Sequence, residues 1–154
     1  MLPTTKERVS QNTAAEINQQ IRQQTERNIM QLASAGPEAI ERRLAELDEE
    51  WDIERYLETM APTFSLVGLL LGLTRNRAWL LVPAVVQTFF LQHALEGWCP
   101  PVPVLRRLGI RTMDEIHQER YALKALRGDF ERVEPVSGVC SDGRVTDALR
   151  AVRA

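Results

Sequence analysis

Two stretches of the chain, 59–74 and 78–95, carry no charged residue, and only Arg75-Asn76-Arg77 separates them. Upstream of these runs apolar side chains are scattered among polar and charged ones. At a rise of about 1.5 Å per residue the neutral runs predict helices of roughly 24 and 27 Å, against a hydrocarbon core of about 30 Å. Each is short for an independent span. The pattern therefore predicts a helical hairpin that inserts in or lies at a membrane with the help of other helices, or one buried in a soluble bundle.

Upstream, Thr13-Ala14-Ala15-Glu16 has the form of a capping box and predicts a helix whose thin apolar stripe is Ile17, Ile21, Ile29 and Leu32. Gly36 closes it and Pro37 opens the next. From there Ile40, Leu44, Leu47 and Trp51 recur at steps of four, three and four, with Leu57 and Met60 extending the face. Such a seam belongs to a helix packed on a neighbour, with a self-associating coiled coil as the alternative. The acidic cluster Asp48, Glu49, Glu50, Asp52 and Glu54 reads as its solvated face.

Downstream, Pro100, Pro101 and Pro103 end the second neutral helix, and Val104 to Gly109 forms one short amphipathic turn. Its leucines are expected at a bilayer surface, with Arg106 and Arg107 reaching headgroups. Thr112-Met113-Asp114-Glu115 is a second capping box, opening a helix with Ile116, Leu123 and Leu126 that ends near Gly128. Beyond Asp129, Pro135, Ser137, Gly138 and Gly143 predict a mobile tail with at most a frail helix over Val145 to Val152. The expectation is an all-α protein in four segments: an amphipathic helical arm over 1–57, the hairpin and its proline exit over 58–112, a helix over 113–130 and the tail over 131–154.

Charge sharpens this picture. The 154 residues carry a net charge of −2, and residues 1–60 hold seven basic against twelve acidic side chains, which argues against a nucleic-acid surface. The opening Met1-Leu2-Pro3-Thr4-Thr5-Lys6-Glu7-Arg8 is too polar for a secretory signal, so insertion would depend on the internal hairpin. Arg43, Arg55, Arg106, Arg107 and Arg111 flank its outer ends while Arg75 and Arg77 occupy the turn, a bias that favours both termini in the cytoplasm. The two cysteines, Cys99 and Cys140, form neither a disulfide framework nor a zinc motif, and no metal or cofactor is expected.

Several residues within the hairpin bear on function. Gly68 and Gly72 make a flat strip where a second backbone can approach, either another protomer or the second hairpin helix. Pro83 is expected to kink that helix. Gln87, Gln92, His93 and Glu96 are polar at membrane depth; interhelical hydrogen bonding is their simplest role, a proton or anion site the alternative. Trp79 and Trp98 stand at opposite ends of the second helix, where interfacial anchors belong. Cys99 is the one candidate nucleophile, either a small buried thiol or a redox or persulfide-accepting group, although the nearby helix C-terminus disfavours its thiolate.

The hairpin followed by Gly97-Trp98-Cys99-Pro100-Pro101-Val102-Pro103 and Leu108-Gly109-Ile110-Arg111-Thr112 resembles the YgaP-like transmembrane domain family of bacterial inner-membrane proteins, over residues 55–112. The resemblance implies a membrane hairpin that dimerises through its helices. Some relatives carry a rhodanese sulfurtransferase domain; the helical, cysteine-free segment before this hairpin does not match it, so that activity is not carried over. The expected role is a non-enzymatic accessory or scaffold protein of the bacterial inner membrane. It would contact lipid, form a homo-oligomer and present charged helices to a cytoplasmic protein. The rivals are a sulfur carrier or redox protein using Cys99, a soluble helical interaction module with its hairpin buried, and an ion or proton conductor built on His93 and Glu96.

Overall fold

The structure, a computed structural model, describes residues 3–131, 133 and 142–153, and among these every regular element is helical. In chain order they are α1 (Arg8–Gln11), α2 (Ala15–Ala35), α3 (Pro37–Glu49), α4 (Ile53–Thr74), a 3-10 turn (Arg77–Leu80), α5 (Leu81–Glu96), α6 (Val102–Arg107), α7 (Met113–Arg127) and α8 (Asp142–Arg153). The chain divides into two compact units, one of residues 1–22 with 51–114, the other of 23–50 with 115–154. This partition cuts across the four sequence segments.

The first unit contains the hairpin. Asp52 caps α4 by accepting from the Arg55 backbone N–H at 3.0 Å, and Asn76 caps the 3-10 turn by accepting from Ala78 N–H at 2.9 Å. α4 packs along the 3-10 turn and α5, and the glycine strip lies in that contact. A Cβ at Gly68 would fall 2.7 Å from Pro83 Cδ, and one at Gly72 would fall 2.5 Å from Leu80 Cδ2. The strip therefore serves the second hairpin helix of the same chain. Pro83 lies in the first turn of α5, which begins at Leu81, so its missing donor is one that has no intrahelical partner anyway.

At the open end of the hairpin, Val9, Ile53, Leu57, Cys99, Val102 and Leu105 form a buried core. Ile53 N–H donates to Arg111 C=O at 2.9 Å, tying the start of α4 to the chain after α6. Arg106 does not reach outward as expected. It is buried, and its guanidinium donates to Asn18 Oδ1 at 2.8 Å and Ile110 C=O at 3.1 Å. Leu108, by contrast, is exposed.

In the second unit Ile40, Leu44 and Leu47 pack with Ile116 and Leu123, flanked by Ile29 and Leu32. The predicted seam stops there. Helix α3 ends at Glu49, Glu50 turns to an extended backbone, and Leu57 belongs to the other unit's core. Nor is the acidic cluster a purely solvated face, since Asp48 pairs with Arg120 at 2.6 Å, Glu50 with Arg43 at 3.7 Å, and Asp52 is a cap. Arg43 also grips the fully buried Glu119 carboxylate through two nitrogens, at 2.8 and 3.3 Å. Helix α8 encloses the stretch where a frail helix was expected, while Cys140 and the remainder of 134–141 lie outside the described residues.

Two helical stretches, Pro37–Thr74 and Arg77–Glu96, are long and apolar enough to cross a membrane by length and composition. Only 22% of the apolar window in the first and 6% in the second is buried. Leu66, Leu70 and Leu73 of α4 and Leu81, Val85 and Leu91 of α5 are all exposed.

Candidate functional site at the hairpin base

The last turn of α5 ends in carbonyls with no intrahelical partner, and α1 supplies donors to them. Arg8 NH1 donates to Ala94 C=O at 2.8 Å, and Asn12 Nδ2 donates to Glu96 C=O at 2.7 Å. Gly97, at φ +78°, lets the chain turn away, and a Cβ there would come within 2.4 Å of the Arg8 backbone. Close approach of α1 therefore requires glycine at this position.

Arg8 also donates through NH2 to Glu54 Oε1 at 2.8 Å, and the other oxygen, Oε2, lies 3.0 Å from His93 Nε2. One carboxylate in the first turn of α4 thus binds a guanidinium and an imidazole from two other helices. His93 is 1% exposed, and its Nδ1 has no hydrogen-bond partner. The Cys99 thiol, itself buried, lies beside the same imidazole.

On the other side Cys99 forms part of the wall of an apolar cavity of about 270 Å³ between α4 and α5, with Leu57, Met60, Phe64 and Phe89 among its lining. Thiol, imidazole and carboxylate thus adjoin one another at the hairpin base. Among the described residues no three His, Cys, Asp or Glu side chains gather so as to hold a metal ion.

The other polar hairpin residues divide. Gln87 Nε2 donates to Ser65 Oγ at 2.9 Å and joins the two hairpin helices, whereas Gln92 Nε2 donates to Glu96 Oε2 at 3.2 Å within α5. His93 and Glu96 do not form one polar face: the first is buried against α4 and the second is exposed. Trp79 is exposed near the turn, and Trp98 is half-buried at the opposite end.

Sequence reasoning missed Arg8 and Glu54. Glu54 had been placed in a solvated acidic run, and Arg8 reaches it across 46 residues. The one local signal was the position of Glu54 in a helix's first turn, where a carboxylate is favoured.

The second unit carries its own ionic contacts. Burial pushes the Lys124 ammonium below its usual range while Nζ donates to Val152 C=O at 2.7 Å. Arg127 donates to both Asp129 oxygens, at 2.8 and 2.7 Å, and holds that carboxyl below the usual carboxylate range. These join α7 to α8 and close the C-terminal end of α7.

No family model, curated protein or solved structure matches the chain.

Proposed function

We propose that the chain is a membrane-embedded hairpin protein, a non-enzymatic accessory or scaffold subunit of the bacterial inner membrane with both termini in the cytoplasm. The observation that carries this is the uncovered apolar surface of α4 and α5, of whose most apolar windows 22% and 6% are buried. Large exposed apolar patches mark surfaces that meet lipid or another protein. The rival soluble module needs a buried hairpin, whereas most of each apolar window is exposed.

The polar cluster of Arg8, Glu54 and His93 fits a structural role in this setting. It binds the open end of the hairpin together while the Gly68–Gly72 strip closes the remainder. Because that strip is occupied by α5, a homo-oligomer would associate through the outer face of α4, where Leu66, Leu69, Leu70 and Leu73 are exposed. The orientation follows the basic residues at the outer ends, of which Arg55 and Arg107 are exposed. The charged helices in residues 23–50 and 115–153 would face a cytoplasmic partner.

Alkaline carbonate extraction of membranes from expressing cells tests the placement. The protein stays with the pellet if the hairpin is integral; release into the supernatant overturns the proposal.

A further inference from the structure

We propose that the apolar cavity between α4 and α5 is a binding site for a compact, uncharged aromatic molecule of about two rings. This goes beyond the scaffold role and does not depend on it, because the lining residues all belong to the unit that contains the hairpin.

The cavity follows from the way the hairpin is fastened. Leu57, Ala61 and Phe64 recur at steps of four and three on one face of α4, and Val86, Phe89 and Phe90 line the cavity from α5. Both stretches lie between the same two contacts. Toward the turn, Gly68 admits α5 so closely that an added Cβ would fall 2.7 Å from Pro83 Cδ, and toward the base Glu54 and His93 meet at 3.0 Å. The helices cannot close on the space without loosening one of these fastenings. Pro100 and Pro101, whose rings fix their backbone, complete the wall beyond the end of α5. The site is therefore largely preformed, as small-molecule sites usually are.

Exposure separates a floor from a mouth. Leu57, Ala61 and Cys99 are buried, whereas Phe64 and Val85 are 52% and 51% exposed. A ligand would enter past Phe64 and Val85 and rest on the buried three.

The wall and the volume set the class of ligand. Among the described residues no charged side chain, amide or hydroxyl lines the cavity, so a polar ligand would lose its hydration with nothing in return. Three phenyl rings and the sulfurs of Met60 and Cys99 offer edges, faces and polarizable atoms that favour an aromatic ring over an alkyl chain. An apolar cavity of about 150 Å³ takes one benzene ring, so 270 Å³ has room for about two.

The test uses the purified full chain in detergent, labelled with carbon-13 at the methionine methyl groups, titrated with naphthalene and followed by methyl NMR. Met60 lines the cavity, whereas Met30 and Met113 lie outside it and report on partitioning into detergent. Naphthalene is expected to move the Met60 methyl signal upfield to a saturating limit, as a stacked ring does, while the other two stay in place. The same concentration of n-decane, which matches naphthalene in carbon count, should not displace it. Ala61→Phe, which fills the floor, should abolish the shift. No shift at Met60, parallel non-saturating shifts at all three methionines, displacement by n-decane, or a shift retained in Ala61→Phe would each overturn the proposal. The comparisons within the wild-type chain decide the matter even if the variant fails to fold.

Discussion

Glu54 Oε2 and His93 Nε2 stand 3.0 Å apart, so the first turn of α4 is fastened to the last turn of α5 across 39 residues of sequence. The same carboxylate binds Arg8 at 2.8 Å. Glu54→Ala strips a partner from both Arg8 and His93, and loss of such a partner costs about 1–3 kcal/mol. The expected outcome is a lower thermal midpoint in detergent, measured by circular dichroism. An unchanged midpoint would mean that the ion cluster does not hold the hairpin.

Gly68 and Gly72 provide a second fastening, with a different chemistry. Gly68→Val would press on Val82 and Pro83, whose atoms lie 2.8 and 2.7 Å from an added Cβ. Overpacking of this kind costs about 1–3 kcal/mol. A Ser65→Cys, Gln87→Cys pair reports on the contact, since those side chains meet at 2.9 Å. Oxidative crosslinking within one chain should be efficient with Gly68 and suppressed with Gly68→Val. Crosslinks solely between chains would place the strip at an oligomer contact instead.

The N-terminal segment is held by its fit against Gly97. Gly97→Ala both strains a backbone at φ +78° and meets the Arg8 carbonyl group at 2.4 Å. Displacement of α1 should raise cleavage by trypsin at Lys6 and Arg8 several-fold, in the order expected for a local opening. Equal cleavage in wild type and variant would show that α1 is not held there.

The hairpin was legible in the sequence because neutral runs and the Arg75-Asn76-Arg77 turn are local signals. Gly36-Pro37 and Gly128 likewise marked helix ends where the structure has them, at Ala35, Pro37 and Arg127. The site was not legible, because its members lie far apart and each has a plausible local role. Glu54 resembles its acidic neighbours, and only the fold shows that it faces Arg8 and His93. Arg106 illustrates the same limit: its place beside Arg107 on a short amphipathic turn gives no hint of the Asn18 oxygen 88 residues away. Thr13 also fits a capping box, yet its hydroxyl donates back to Val9 C=O at 2.8 Å and closes α1.

The second unit should show an acid-side dependence of its own. Arg127 lowers the Asp129 carboxyl from its ordinary value of 3.8, so the unfolded chain takes up a proton before the folded one does. The resulting stabilisation is complete above that ordinary value and disappears as pH falls through the depressed one. Denaturation followed between neutral pH and strong acid should show Asp129→Asn less stable than wild type at neutral pH, with the difference closing in acid. A constant difference at all pH values would assign no linkage to this pair.

The central claim is that the outer faces of α4 and α5 lie against lipid acyl chains. Leu70, 66% exposed on α4, is the most direct reporter. In a Leu70→Trp variant with Trp51, Trp79 and Trp98 replaced by phenylalanine, reconstituted into vesicles of brominated phosphatidylcholine, tryptophan fluorescence should be strongly quenched relative to unbrominated vesicles. Emission unaffected by bromination would place that face in water or against protein, and would contradict the membrane-embedded hairpin.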